Sequence, residues 1–131
     1  FTDPEEAEKF CRETDVDALA VAIGTAHGQY KGVPKLDFDR LKEITKRISV
    51  PIVLHGSSGV PDDAIREAIS LGVAKVNIDT NIREAFTNAA RKVFSDNPKE
   101  IDPRKVLGPA REAAIEIIRE KIRVFGSSGK A

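Results

Sequence analysis

The stretch Pro51-Ile52-Val53-Leu54-His55-Gly56-Ser57-Ser58-Gly59-Val60 decides how the rest of the chain reads. A short apolar run bounded by proline and glycine has the pattern of a strand buried in a parallel sheet. It ends in a histidine and then a glycine- and serine-rich loop, and Pro61-Asp62-Asp63 opens a helix. That helix is predicted to bury Ala64, Ile65, Ala68, Ile69 and Leu71 and to stop at Gly72. The unit is strand, polar loop, helix.

The same unit recurs on both sides. Upstream, Ala18-Leu19-Ala20-Val21-Ala22-Ile23 is a continuous apolar run that reads as a strand covered on both faces, ending in Gly24-Thr25-Ala26-His27-Gly28. A helix with Leu41, Ile44 and Ile48 on one face is predicted from about Phe38 to Ile48. Downstream, Val73-Ala74-Lys75-Val76-Asn77-Ile78 reads as a third strand ending at Asp79-Thr80, with a helix from about Asn81 to Phe94. The strand ends at His27, His55 and Asp79 are 28 and 24 residues apart, the spacing of successive βα units with short loops.

Before these units, a capping residue, Pro4 and two acids start a helix that carries Ala7, Phe10 and Cys11 on one side. After them, Asp102-Pro103 caps a last helix to about Phe125, with Leu107, Ala110, Ala114, Ile117, Ile118, Ile122 and Phe125 as its apolar stripe. The order is αβαβαβα and then a final helix. Three parallel strands leave two unpaired edges, so the pattern looks like part of a larger parallel sheet or barrel. A full eight-unit barrel takes about 250 residues, and this chain has roughly half of that.

Composition narrows the chemistry. The 131 residues suit one domain with one core, and 21 basic against 21 acidic residues create no net field toward nucleic acid or an anionic membrane. A single cysteine, Cys11, excludes an intramolecular disulfide, fits a reducing cytosol and reads as a buried thiol. No stretch approaches the roughly 20 apolar residues needed to span a bilayer, and no signal region opens the chain. A soluble, cytoplasmic protein is expected.

Parallel α/β architectures place their sites at the carboxyl ends of the strands, where every unusual residue of this chain falls. Its two histidines, His27 and His55, occupy equivalent positions in neighbouring units. Either alone could simply bond a backbone carbonyl. Together, on strands about 5 Å apart, they favour shared ligation of a metal such as Zn²⁺, with a third ligand not identifiable in this chain.

The loop Gly56-Ser57-Ser58-Gly59 offers backbone N–H groups, two hydroxyls and a helix N-terminus to a phosphate, or it is only a turn. Asn77 and Asp79 share one face of the third strand by period two. Thr80 reads alternatively as a plain N-cap and Asp79 as a turn residue. The loop from Gln29 to Lys35 reads either as a lid carrying Lys31 and Lys35 or as a solvated loop.

Four segments, "GTAHGQYKGVPKLDFDRL", "PIVLHGSSGVPDDAIREAISLGVAKVNIDTNIREAF", "DPRKVLGPAREA" and "KIRVFGSSGKA", together resemble the C-terminal half of class II, zinc-dependent fructose-bisphosphate aldolases, with tagatose-bisphosphate aldolases close behind. The resemblance runs through essentially the whole chain. It implies an α/β fold, the last three βα units and C-terminal helices of a (β/α)₈ barrel, with residues 1–131 forming the C-terminal portion of one barrel domain.

It further implies zinc-assisted reversible cleavage of fructose 1,6-bisphosphate to dihydroxyacetone phosphate and glyceraldehyde 3-phosphate, and a homo-oligomer, dimer or tetramer. A monovalent cation is implied as an optional activator. By resemblance, His27 and His55 are two of three zinc ligands, and Gly28, Gly56, Ser57, Ser58, Asn77, Asp79 and Thr80 belong to the phosphate and substrate contacts. The Asn-x-Asp-Thr form at Asn77 to Thr80 resembles the fructose-bisphosphate branch. Arg104 resembles the arginine that meets the substrate's other phosphate, often across a subunit boundary. The family's third histidine and its acid–base residues match nothing in these 131 residues, which alone are expected to be inactive; the alternatives are a tagatose-bisphosphate aldolase, or a non-catalytic phosphate-binding half-barrel that pairs with itself or another half.

Overall fold

The computed structural model describes residues 1–26, 28 and 32–130. His27, and Gln29 to Lys31 of the predicted lid, lie outside the described residues. The chain forms two compact units, Phe1–Ile78 and a second beginning at Asp79.

The first unit runs α1 (Pro4–Thr14), β1 (Leu19–Ala20), α2 (Phe38–Arg47), β2 (Ile52–Leu54), a 3₁₀ turn (Ser57–Gly59), α3 (Asp62–Ser70) and β3 (Val73–Val76). Its strands are parallel and adjacent in chain order, β1-β2-β3. This is the winding of successive barrel units, without the order reversal of a doubly wound sheet.

Local chemistry explains the boundaries. Asp3 caps α1, accepting from the N–H groups of Glu5 and Glu6, with Pro4 at the first helical position. Asp37 caps α2 through Arg40 N–H. Gly72 ends α3 at φ 113°, where an added Cβ would meet the Thr45 side chain at 2.8 Å. Ile23, Leu41, Ile44, Ile52, Leu54 and Ile65 are fully buried, each contributing about 1.5–3 kcal/mol by leaving water.

The first strand differs from expectation. Leu19, Val21 and Ile23 are buried or half-buried, whereas Ala18, Ala20 and Ala22 are exposed, so β1 is covered on one face and not two. An all-apolar run reports hydrophobicity on both faces but not whether a neighbour exists for each. In α1, likewise, Ala7 is buried but Phe10 is exposed and Cys11 only half-buried, because α1 packs against α2 along a narrow stripe. Arg47 of α2 reaches Glu43, Glu8 and Glu5, and these carboxylates, Glu43 first, hold its guanidinium more firmly protonated.

In the second unit, α4 (Thr80–Asp96) packs along α5 (Pro103–Val124). Asp79 occupies the N-cap of α4 and Thr80 its first helical residue, one position off the plain-cap alternative. The buried face of α5 carries Val106, Ala110 and Val124, while Leu107, Ile118 and Ile122 of the predicted stripe are exposed. Apolar residues occupy more of that helix than one packing partner covers, so of the predicted stripe only Ala110 is buried, and Val106 and Val124 beside it take the other buried positions.

Candidate functional site

The site is built where β2 ends. Ile52, Val53 and Leu54 are all buried, and His55, the next residue, is exposed. Hydrogen bonds continue beyond the short strands: Val21 N–H donates to Val53 O at 3.2 Å and Asn77 N–H to Leu54 O at 2.9 Å. These bonds bring the ends of β1 and β3 alongside His55.

Gly56 then takes a left-handed conformation, φ 65° and ψ 28°. A Cβ there would lie 2.5 Å from Ala26 O and 2.6 Å from Ala26 C. Glycine is thus required twice, for the backbone region and for the close approach of another backbone. The contact joins residues that neighbour His27 and His55 in sequence. Beyond it, the 3₁₀ turn closes with Val60 N–H donating to Ser57 O, and Val60 is buried.

Ser57 is also buried, its Oγ 3.5 Å from His55 O, at the limit of a hydrogen bond. Ser58 is half-buried. The first turn of α3 already carries Asp62 and Asp63, which occupy the positive end of that helix dipole. Anion binding would therefore fall to the turn before it.

A cavity of about 300 Å³ opens against the exposed alanine face of β1, lined by Ala20, Ala22, Thr25, Ala26, His55 and Gly56 among others. The small side chains of β1 leave this space. Half-buried Asn77 stands beside His55, its Nδ2 3.2 Å from Nδ1 and 3.4 Å from Nε2 of the imidazole. Asn77 Oδ1 accepts a 2.6 Å bond from Lys75 Nζ. Sequence reading passed over Lys75, though a lysine inside an otherwise apolar strand was a visible signal.

The structure thus brings His55, Gly56, Ser57, Ser58 and Asn77 together. His27 lies outside the described residues, and Gly28 has φ 88°, again favouring glycine. Asp79 and Thr80 open the second unit, where Asp79 Oδ1 accepts from Arg83 Nε at 2.7 Å and Thr80 is half-buried.

Arg104 is highly exposed, but its Nε and Nη2 are engaged by Asp102, with Nη2 to Oδ2 at 2.8 Å. That guanidinium, and then the Arg104 backbone N–H, hold the Asp102 carboxyl below its ordinary range. Arg104 also lines a groove of about 570 Å³ with Phe86, Leu107, Gly108 and Arg111.

An exposed imidazole on a cavity wall fits one position in a metal's ligand set. Among the described residues no group of three His, Cys, Asp or Glu side chains could hold a metal, so His55 would share the ion with ligands beyond them. No helix among the described residues is long and apolar enough to cross a membrane.

Comparison with known proteins gives a consistent result. The family model described as fructose-bisphosphate aldolase class-II matches residues 1–130. The chain is 50% identical over 131 residues to a sulfofructosephosphate aldolase of Alkalicoccus urumqiensis, covering all of this chain and 46% of that protein. Among solved structures, the YdjI aldolase of Escherichia coli K12 superposes with a TM-score of 0.80 at 40% identity, covering 99% of this chain and 46% of the other. A fructose-bisphosphate aldolase of Campylobacter jejuni gives 0.78 at 25% identity, covering 95% and 45%. The chain spans less than half the length of these relatives.

Proposed function

Because this chain belongs to the class II fructose-bisphosphate aldolase family and carries part of its (β/α)₈ barrel, we propose that it serves a metal-dependent aldolase that cleaves fructose 1,6-bisphosphate reversibly to dihydroxyacetone phosphate and glyceraldehyde 3-phosphate. The observation that carries the reading is the exposed imidazole of His55 at the carboxyl end of a buried strand, on a cavity wall, with the Asn77 amide at 3.2 Å.

In this reading His55 and His27 hold a zinc ion together with a ligand from the rest of the polypeptide, which also supplies the acid–base residues. Breaking the C3–C4 bond leaves an electron pair that must pass to the C2 oxygen, and zinc, when bound, supplies the positive charge that stabilises it. The chain's own groups position the substrate. Backbone N–H groups and hydroxyls of Gly56 to Gly59, with Ser57 and Ser58, and Gly28 hold the phosphate nearest the reacting carbons. Asn77 donates Nδ2 hydrogens to a substrate oxygen, with Asp79 and Thr80 completing that end. Arg104 meets the anion at the far end, and its present bond to Asp102 is the contact it would exchange or share. Binding energy collected at both ends holds the bond to be broken in place.

The 50% identity to a sulfofructosephosphate aldolase favours a second reading, in which the far-end anion is a sulfonate. Both substrates share the phosphorylated ketose end and differ only where Arg104 is placed. A cytoplasmic homo-oligomer that needs no nucleic acid or membrane completes the proposal, with a role in glycolysis and gluconeogenesis under the first reading.

The test is steady-state cleavage of fructose 1,6-bisphosphate, tagatose 1,6-bisphosphate and sulfofructose phosphate by the complete polypeptide, with and without a chelator. A preference for fructose 1,6-bisphosphate that chelation abolishes supports the first reading. A preference for the sulfonate supports the second, and chelator-resistant cleavage overturns the metal's role.

A further inference from the structure

We propose that Lys75 is a positioning residue, fixing the Asn77 amide so that its Nδ2 hydrogens face His55, which stands on the cavity wall. The inference rests on the reading of Asn77 as a substrate contact.

The geometry begins in the register of β3. Val73 pairs with Ile52 and Lys75 with Val53, so Ala74 is an extra residue at an irregularity in the ladder. Beyond it Lys75 and Asn77, two residues apart, project on one face and their side chains meet, Nζ to Oδ1 at 2.6 Å.

An asparagine amide is almost the same shape in its two orientations, and shape alone does not choose between them. An ammonium has three donors and no acceptor, so it tolerates only the oxygen. The flipped amide would set Nδ2 against Nζ, donor against donor. The short charge-assisted bond therefore selects one orientation, and the opposite edge of the amide, Nδ2, is left toward His55 at 3.2 Å.

Nδ2 is a donor only. A ketose presents carbonyl and hydroxyl oxygens, and a donor held in advance at that place needs no reorientation on binding. Without the ammonium the amide samples both orientations, and in one of them it offers Oδ1 to a carbonyl oxygen, acceptor against acceptor. Lys75 is itself exposed, so neutralising it leaves the buried core untouched.

The experiment uses the complete polypeptide and the variants Lys75→Met, Lys75→Arg, Asn77→Ala and the Lys75→Met/Asn77→Ala double. Readouts are the calorimetric Kd of dihydroxyacetone phosphate, KM and kcat for fructose 1,6-bisphosphate, bound zinc per chain, and Tm. Lys75→Met is expected to raise Kd and KM about twofold, because an amide that samples two orientations offers its donor about half of the time. Zinc content and Tm should hold, and Lys75→Arg should restore most of the affinity. The double variant should bind no more weakly than Asn77→Ala, because Lys75 acts through Asn77.

Parent-like affinity in Lys75→Met overturns the proposal while leaving the aldolase reading intact. Losses that add in the double variant also overturn it, because Lys75 would then touch the ligand itself. A parent protein that neither binds dihydroxyacetone phosphate nor cleaves a ketose bisphosphate overturns the aldolase reading, and the inference with it.

Discussion

Replacing Gly56 by alanine tests the backbone junction on which the candidate site depends. At φ 65° and ψ 28° an alanine pays the left-handed penalty, about 1–2 kcal/mol relative to glycine. Its Cβ would also stand 2.5 Å from Ala26 O and 2.6 Å from Ala26 C, roughly 1 Å inside ordinary contact of about 3.5–4.0 Å. Both atoms are backbone, so relief requires one loop to move, an overpacking cost of about 1–3 kcal/mol. The expected loss is about 2–5 kcal/mol, a large part of the roughly 5–15 kcal/mol that stabilises a typical domain.

Gly126 supplies the control. It has φ 69°, yet an added Cβ there meets nothing within 4 Å, so Gly126→Ala should lose only the left-handed penalty. Urea denaturation of the complete protein, compared at equal m values, measures both. If the two variants lose stability equally, within about 0.5 kcal/mol, Ala26 does not press on Gly56 and the reasoning fails.

Three further outcomes are expected. His55→Ala should abolish zinc binding by the complete enzyme with little change in the Tm of the metal-free protein, since the side chain is exposed; elemental analysis finding full zinc stoichiometry would remove His55 from the ligand set. Leu54→Ala, at a fully buried position of the central strand, should cost about 2–5 kcal/mol in denaturant unfolding, and a loss under about 1 kcal/mol would contradict the packing. The Asp102 carboxyl is held low by Arg104, so its stabilisation is complete above the usual carboxylate range and is lost as pH falls through the depressed value. Asp102→Asn should therefore flatten the acid limb of Tm against pH, and superimposable curves would show that the Asp102–Arg104 pair contributes nothing.

Much of the fold was legible because its signals are local. Apolar runs broken by glycine and proline marked three strands, capping aspartates with following prolines marked α1 and α5, and regular spacing made the units parallel neighbours. The same logic placed His55 at a strand end, because a histidine closing an apolar run has left the buried layer. Misplaced features share a different cause. Cys11, Phe10, the alanine face of β1 and the stripe of α5 all lie on apolar surface whose burial depends on a neighbour far away in sequence.

The site divides along that line. Residue order determined which chemistry is available, imidazole, amide, hydroxyl and a glycine loop at successive strand ends, since strand period and turn preference act over a few residues. Only the tertiary structure decided which of these groups meet: that Gly56 must be glycine because Ala26 lies against it, that Lys75 turns the Asn77 amide toward His55, and that Arg104 rests on Asp102. Hydrogen bonds and close contacts are settled within an ångström or less, and the parallel pairing that brings Asn77 beside His55 across 22 residues exists only once the sheet has formed.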